Sequence, residues 1–315
     1  MRHARTRYVR TVLLAAGLAL APAAAPLPAS AQTPGTLDPR PLPALANPGD
    51  PSLPAKELFG RAAEPAPLAA RALGSYAAGC LAGAVALPVD GPGWRVMRVS
   101  RNRNWGHPDL VALLERLAAA TPEAVGWPGL LVGDLAQPRG GPMIWGHASH
   151  QNGLDADVWL TPMPETGVDR PARETMMATS VVRADRRDVD PAVWTPAHAR
   201  LIALAARERR VERLFVNAAI KKALCRETTG DRSWLGKVRP MWGHDYHMHI
   251  RMTCPAGETG CALQAPVPPG DGCDASLDWW FTDEVLNPRP GGGGARREKT
   301  LADLPDACRR VLVAD

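Results

Sequence analysis

No C-x-x-C pair occurs in this chain, although it carries six cysteines. The paired-thiolate framework of many structural zinc sites is therefore missing. Beyond the N-terminal region no apolar run approaches the roughly 20 residues needed to cross a bilayer. No internal repeat is visible. No regular alternation of strand and helix is present either, which argues against a doubly wound parallel sheet. Excess charge is absent in the same way. The formal net charge of +5 includes Arg2, Arg5, Arg7 and Arg10, and no acid lies among residues 1–31, so removing that segment leaves +1. A chain so nearly neutral offers no basic field for nucleic acid.

Those four arginines precede an apolar run from Thr11 to about Ala21, interrupted beyond it by Pro22, Pro26 and Pro28. Ala29-Ser30-Ala31 then stands before Gln32. A basic start, a short apolar stretch and an A-x-A site define a cleaved signal peptide over residues 1–31 and an exported mature chain. All six cysteines, Cys80, Cys225, Cys254, Cys261, Cys273 and Cys308, lie in the exported part. An even count in an oxidising compartment favours disulfides, and spacing alone leaves fifteen pairings open.

Residues 32–73 are rich in proline and alanine and read as an extended arm. The body is expected over 74–286. Residues 287–315 form a tail whose "NPRPGGGGARREK" stretch is flexible in composition, with Cys308 available to tether its end. Within the body, Leu110, Leu113, Leu114 and Leu117 fall on one helical face. Thr195 and Pro196 fit the N-cap and first position of another helix, with Leu201, Leu204 and Ala205 on a shared face. "RLFVNAAIKKALC" reads as a strand entering a helix, and "GLLVGDLA" and "DADVWL" read as strands. The expected class is α+β: one catalytic domain with a small antiparallel sheet, flanked by helices and disulfide-tied loops.

Seven histidines lie in the mature part, and five form two groups, His147 with His150 and His244 with His247 and His249. If "HMHIRM" is a strand, His247, His249 and Arg251 face one side, and Met248, Ile250 and Met252 face the core. By the same alternation Asp155, Asp157 and Trp159 share a face. Gly153 supplies a bend that lets His150 fold back toward Asp157. Two histidine nitrogens and one carboxylate are a common catalytic zinc set, with a fourth position left for water. His150, Asp157 and His249 would make that set. His247, two residues from a ligand on the same strand face, would serve as acid/base or transition-state donor. Trp145, Trp159 and Trp242 stand near both groups and read as core or wall.

The stretches "WGHPDL", "WGHASHQNGLDADVW", "RLFVNAAIKKALC", "DRSWLGKVRPMWGHDYHMHIRMTCP" and "GDGC" resemble the penicillin-insensitive murein endopeptidase family, within the lysostaphin/D-Ala-D-Ala metallopeptidase group. The likeness runs from about Gly74 to Trp280. It implies zinc-dependent hydrolysis of peptidoglycan cross-link peptides in the periplasm, by metal-activated water attacking an amide of the D-alanyl–diaminopimelyl type. It makes His150, Asp157 and His249 the core zinc ligands and His147 an additional one, and it places His244 and His247 in the active site. A second metal position would fall on Asp185 and Asp188, where Asp188 replaces the family's histidine. The implied disulfides are Cys80–Cys308, Cys225–Cys273 and Cys254–Cys261. No S-x-x-K nucleophile motif is present, which fits indifference to β-lactams. The competing reading is a zinc-containing module of the same fold that binds peptidoglycan without cleaving it. Retention of both His244 and His247 favours the enzyme.

Overall fold

The computed structural model describes residues 33–288 and 297–315. The leader over 1–31 and most of the Gly-rich stretch, and with them the readings of cleavage and flexibility, lie outside the described residues. In chain order the elements begin with α1 (Ala55–Phe59), β1 (Arg71–Ser75), β2 (Ala78–Ala82), β3 (Val85–Ala86), β4 (Asp90–Gly91), β5 (Trp94–Val96) and β6 (Trp105–Gly106). Then come α2 (Pro108–Ala124), β7 (Leu130–Val132), β8 (Asp155–Trp159), α3 (Arg170–Thr175), α4 (Pro196–Arg207), β9 (Val211–Val216) and α5 (Ala218–Glu227). The chain closes with β10 (Val238–Pro240), β11 (His247–Met252), α6 (Asp283–Leu286) and α7 (Ala307–Val313).

Helices and strands mix as expected for an α+β chain, but the sheet is neither small nor wholly antiparallel. Seven strands run in the order β10-β9-β11-β8-β7-β5-β4. The β10–β9 and β5–β7 pairs are parallel, whereas β11 is antiparallel to both its neighbours. The excess over expectation lies in β4, β5 and β10, which are two or three residues each, whereas β7 falls within the expected strand "GLLVGDLA". Segments that short cannot display a period of two, so only their hydrogen-bonded neighbours reveal them.

The apolar face of the sheet is packed as the alternation required. Met248, Ile250 and Met252 are fully buried in one core with Leu110, Leu113, Leu114 and Leu117 of α2 and Leu201 of α4. Local chemistry sets where these helices begin. Thr195 caps α4 with Pro196 in its first turn, and His198 Nδ1 accepts from the Thr195 backbone N–H at 3.0 Å. Asn217 caps α5, its side chain accepting from Ala219 N–H at 3.0 Å. These caps satisfy backbone donors that the first helical turn leaves unpaired.

A second apolar cluster joins the two ends of the chain. The Pro/Ala-rich stretch is not extended throughout: it carries α1, whose Ala55, Leu58 and Phe59 are buried with Leu301, Val311 and Leu312. The Cys80–Cys308 disulfide crosses this cluster and ties α7 to β2. Cys225–Cys273 and Cys254–Cys261 are the other two bridges, so all three pairings agree with those implied by the resemblance.

Candidate metal centre

The opposite face of β8 and β11 carries the polar row. In their antiparallel register His249 lies opposite Asp157, Arg251 opposite Asp155 and His247 opposite Trp159. Because successive residues alternate faces, each of these pairs meets on one side of the sheet. The preceding loop brings in the first histidine pair. His150 holds a left-handed φ of 66° and Gly153 one of 76°, and a Cβ at Gly153 would run into the Leu81 side chain. The expected bend is therefore real, and His150 itself bends with it. Its backbone N–H is held by Asp155 Oδ2 at 3.1 Å. A left-handed non-glycine residue is strained, and such strain persists only where surrounding contacts over-determine it.

Asp157 is the hub. Its Oδ1 lies 3.3 Å from His249 Nδ1, 3.5 Å from His150 Nε2 and 3.6 Å from His247 Nε2. Its Oδ2 lies 3.6 Å from His147 Nε2. The rings of His147 and His150 are 4.3 Å apart, those of His150 and His249 4.6 Å, and those of His244 and His247 4.7 Å. His244 holds a left-handed φ of 53° and points Nδ1 at the Trp242 carbonyl, 2.7 Å away. A proton on Nδ1 then leaves Nε2 as the free acceptor.

The donor atoms fit a cation. Both carboxylate oxygens of Asp157, both ring nitrogens of His150 and Nε2 of His249 are buried without a hydrogen-bond partner. Buried polar atoms are otherwise almost always paired, so such a convergence marks a place for a ligand. His147, His150 and Asp157 form one set of atoms close enough to share an ion, and His150, Asp155 and His249 form another. Burial pushes the His150 ring down to about 4, with His147 adding to the effect and Asp157 opposing it. Burial likewise lowers His247 to about 3 and His244 to about 4. These rings are neutral at pH 7 and present lone pairs. Burial also opposes charge on His249, but Asp155 and Asp157 outweigh it and raise that ring to about 9. Asp157 is held well below the usual carboxylate range: burial opposes this, and His247, His147 and His150 overcome it.

These shifts set a pH dependence for the metal-free protein. His150, His244 and His247 take up protons far less readily folded than unfolded, where their ordinary value is 6.5. Below about pH 6.5 the unfolded chain therefore binds more protons, and stability falls as pH drops toward 4. His249 acts with the opposite sign: its contribution is present below 6.5 and is lost as pH rises through about 9. With three rings against one, chelated protein is expected to show a clearly lower denaturant midpoint at pH 4.5 than at pH 7. A midpoint that holds or rises across that interval would contradict the burial of these rings.

Support for the cluster comes from groups that the histidine spacing did not single out. Asp155 accepts from Arg251 Nε and Nη2, both at 2.8 Å, and its Oδ2 lies 3.3 Å from His249 Nε2. Asp134 is 3.0 Å from each of His147 Nε2, Arg101 Nη1 and Arg103 Nη1. Arg103 in turn stacks on the exposed Trp145, 4.0 Å from its ring centre. Asp155 and Arg251 were visible as same-face neighbours of Asp157 and His249. Asp134 carried no such signal, since it follows β7 where the strand breaks at Gly133. A Cβ at Gly133 would stand 3.0 Å from Trp159 Nε1, a tight contact that the side chain would have to yield to by a few tenths of an ångström.

The structure does not bring Asp185 and Asp188 to this cluster. Asp185 is exposed, staples its own turn by accepting from the Arg187 backbone N–H at 3.0 Å, and pairs with Arg183 at 2.8 Å. Asp188 pairs with Arg226 at 2.9 Å and Lys222 at 3.5 Å. Of the three tryptophans, Trp159 is buried, while Trp145 and Trp242 are exposed.

A buried set of two histidines and a carboxylate, with further neutral histidines beside it, is the donor set of a metallohydrolase. Comparison with known proteins narrows the class. A family model described as penicillin-insensitive murein endopeptidase matches residues 72–313, and the chain belongs to this family of metallopeptidases. A penicillin-insensitive murein endopeptidase of Haemophilus influenzae is 45% identical over 240 residues, covering 76% of this chain and 82% of that protein. Proteins of the same name from Klebsiella pneumoniae and Escherichia coli O1:K1 are 43% and 41% identical, covering 77% and 79% of this chain and 86% and 88% of their own lengths.

Proposed function

We propose that the chain is a zinc-dependent endopeptidase that hydrolyses D-alanyl–diaminopimelyl cross-links of peptidoglycan in the periplasm. Family membership supports murein hydrolysis. The observation that carries the metal reading is the set of buried, partnerless atoms on Asp157, His150 and His249, with His150 common to both groups close enough to share an ion, His147–His150–Asp157 and His150–Asp155–His249. Two nitrogens and one carboxylate oxygen suit zinc better than the harder, oxygen-seeking cations. His150, Asp157 and His249 hold the ion in this reading, and His147 is the additional donor. Asp185 and Asp188 take no part, because arginine guanidinium groups already occupy them. The export signal read over residues 1–31 and the three disulfides support an oxidising compartment.

When bound, the metal polarises the amide carbonyl and lowers the pKa of water toward about 7. The chain supplies the rest. Asp155, clamped by Arg251, lies beside the His249 ring, and Asp134 holds His147 through Nε2. His247, neutral beside Asp157, and His244, with Nε2 free, hold and return the proton that passes from the attacking water to the departing nitrogen.

The test is incubation of purified mature protein with cross-linked muropeptide dimers, with products identified by mass. Dimers are expected to yield monomers with uptake of one water, to persist under chelator, and to be cleaved again when zinc is restored. Dimers bound but left intact in zinc would mark a binding module. Cleavage that survives complete chelation would overturn the metal reading.

A further inference from the structure

The loop that carries His244 has a second side. Trp242 and Asp245 line a cavity of about 490 Å³ together with Arg183, Arg186, Asn217 and Trp280. The loop is pinned from several directions. Asn217 donates its backbone N–H to the His244 carbonyl and its side-chain amide to the Gly243 carbonyl, both at 2.9 Å. The Asp245 carbonyl accepts from the Val181 N–H at 2.9 Å. Cavity wall and His244 thus belong to one hydrogen-bonded segment.

The lining has a specific chemistry. The indoles of Trp242 and Trp280 stand 5.6 Å apart, and Trp242 is about half exposed. Arg183 is neutralised by Asp185. Among the described residues no hydrogen bond or ion pair engages the Arg186 guanidinium or the Asp245 carboxylate. Arg186 is presented on a left-handed turn residue, φ 57°, whose N–H donates to the Arg183 carbonyl, and the next N–H, of Arg187, donates to the Asp185 side chain. One free cation, one free anion and an aromatic wall match an aliphatic amino acid end that bears a carboxylate and an N–H on the same carbon.

We propose that this cavity is the specificity pocket for the amine-donating side of the cross-link. Arg186 binds the carboxylate on the carbon that carries the scissile nitrogen. Asp245 accepts the N–H on that carbon, and Trp242 and Trp280 cover the aliphatic chain leading from it. This assignment rests on the peptidoglycan reading above and adds to it the residues that choose the acceptor strand.

The test uses an uncross-linked stem peptide, whose side-chain end bears a free carboxylate and ammonium and which offers no cross-link to cleave. Full-length mature protein loaded with zinc is titrated with this peptide, and with its copy amidated at that carboxylate, by indole fluorescence. Amidation is expected to weaken binding by about tenfold, the scale of one charge-assisted contact. Arg186→Ala should bind both forms at the weaker level with an unchanged melting temperature, and Arg186→Lys should recover part of the preference. Trp280→Ala should weaken both forms alike. Equal binding of the two peptides by wild type, or a preference that survives in Arg186→Ala, overturns the pocket. Displacement of the peptide by a stem-free disaccharide also overturns it, by showing a sugar platform instead. Wild type that cleaves dimers but shows no preference refutes the pocket alone, whereas zinc-loaded wild type that cleaves no dimer refutes the reading beneath it.

Discussion

His249→Ala should lose both its metal and its turnover, while His247→Ala should keep the metal and lose turnover by about 10²–10⁴, the usual cost of a positioned proton carrier or transition-state donor. The two residues share a strand face and are both nearly buried, so solvent access does not separate them. Their surroundings do. His249 sits between two carboxylates, 3.3 Å from Asp155 and 3.3 Å from Asp157, with Arg251 fixing the first of these. His247 touches Asp157 only at 3.6 Å, and its ring leans on His244 and Tyr246. Zinc titration of both variants, with bound metal and dimer cleavage measured together, tells the roles apart. Added zinc should partly rescue His249→Ala and leave His247→Ala unchanged. If His247 only orients a ligand, its loss should cost about 10–100-fold and show in metal affinity. Near wild-type turnover in His247→Ala would remove it from the mechanism.

Asp155→Ala should be the most damaging single change to stability. The carboxylate is fully buried and accepts two bonds from Arg251 and one from the His150 backbone. Without it, Arg251 keeps its charge in a buried site beside the rings of Tyr76 and Phe215, with Glu212 a weaker remaining charge partner. Breaking one partner of a buried ion pair costs about 3–5 kcal/mol. In a chain of this size that lowers the melting temperature by on the order of 10 °C. The left-handed His150 loses its backbone anchor in the same step, so metal affinity should fall as well. Asp155→Leu combined with Arg251→Met removes both charges and should regain much of the stability but not the activity. A single variant that melts within about 2 °C of wild type would show that the pair contributes little.

The histidine centre was legible in the chain to an unusual depth because two of its strands obey a period of two. Residues 247–252 and 155–159 sort their polar side chains to one face by alternation alone, and Gly153 announces the turn that returns His150. Helix starts at Thr195–Pro196 and the apolar face of α2 were legible for the same reason: capping and helical spacing are local properties. The cysteine pairings were not local. Spacing left fifteen open, and likeness to a family, rather than any property of the residues, selected the three that the structure contains.

Tertiary structure decided which strands lie side by side. Placing His249 opposite Asp157 depends on the register of β11 against β8, and nothing in either segment encodes its partner. The short strands β4, β5 and β10 extend the sheet to seven because neighbours complete their hydrogen bonds, not because their own residues alternate. Asp134 reaches His147 from the loop after β7, where Arg101 and Arg103 meet the same carboxylate. Asp185 and Asp188 have the chemistry of ligands, but arginines from their own turn and from α5 lie nearer to them than the histidines do. A carboxylate's partner is set by which charge folding brings within a few ångströms, and that distance is a property of the packed chain, not of the order of its residues.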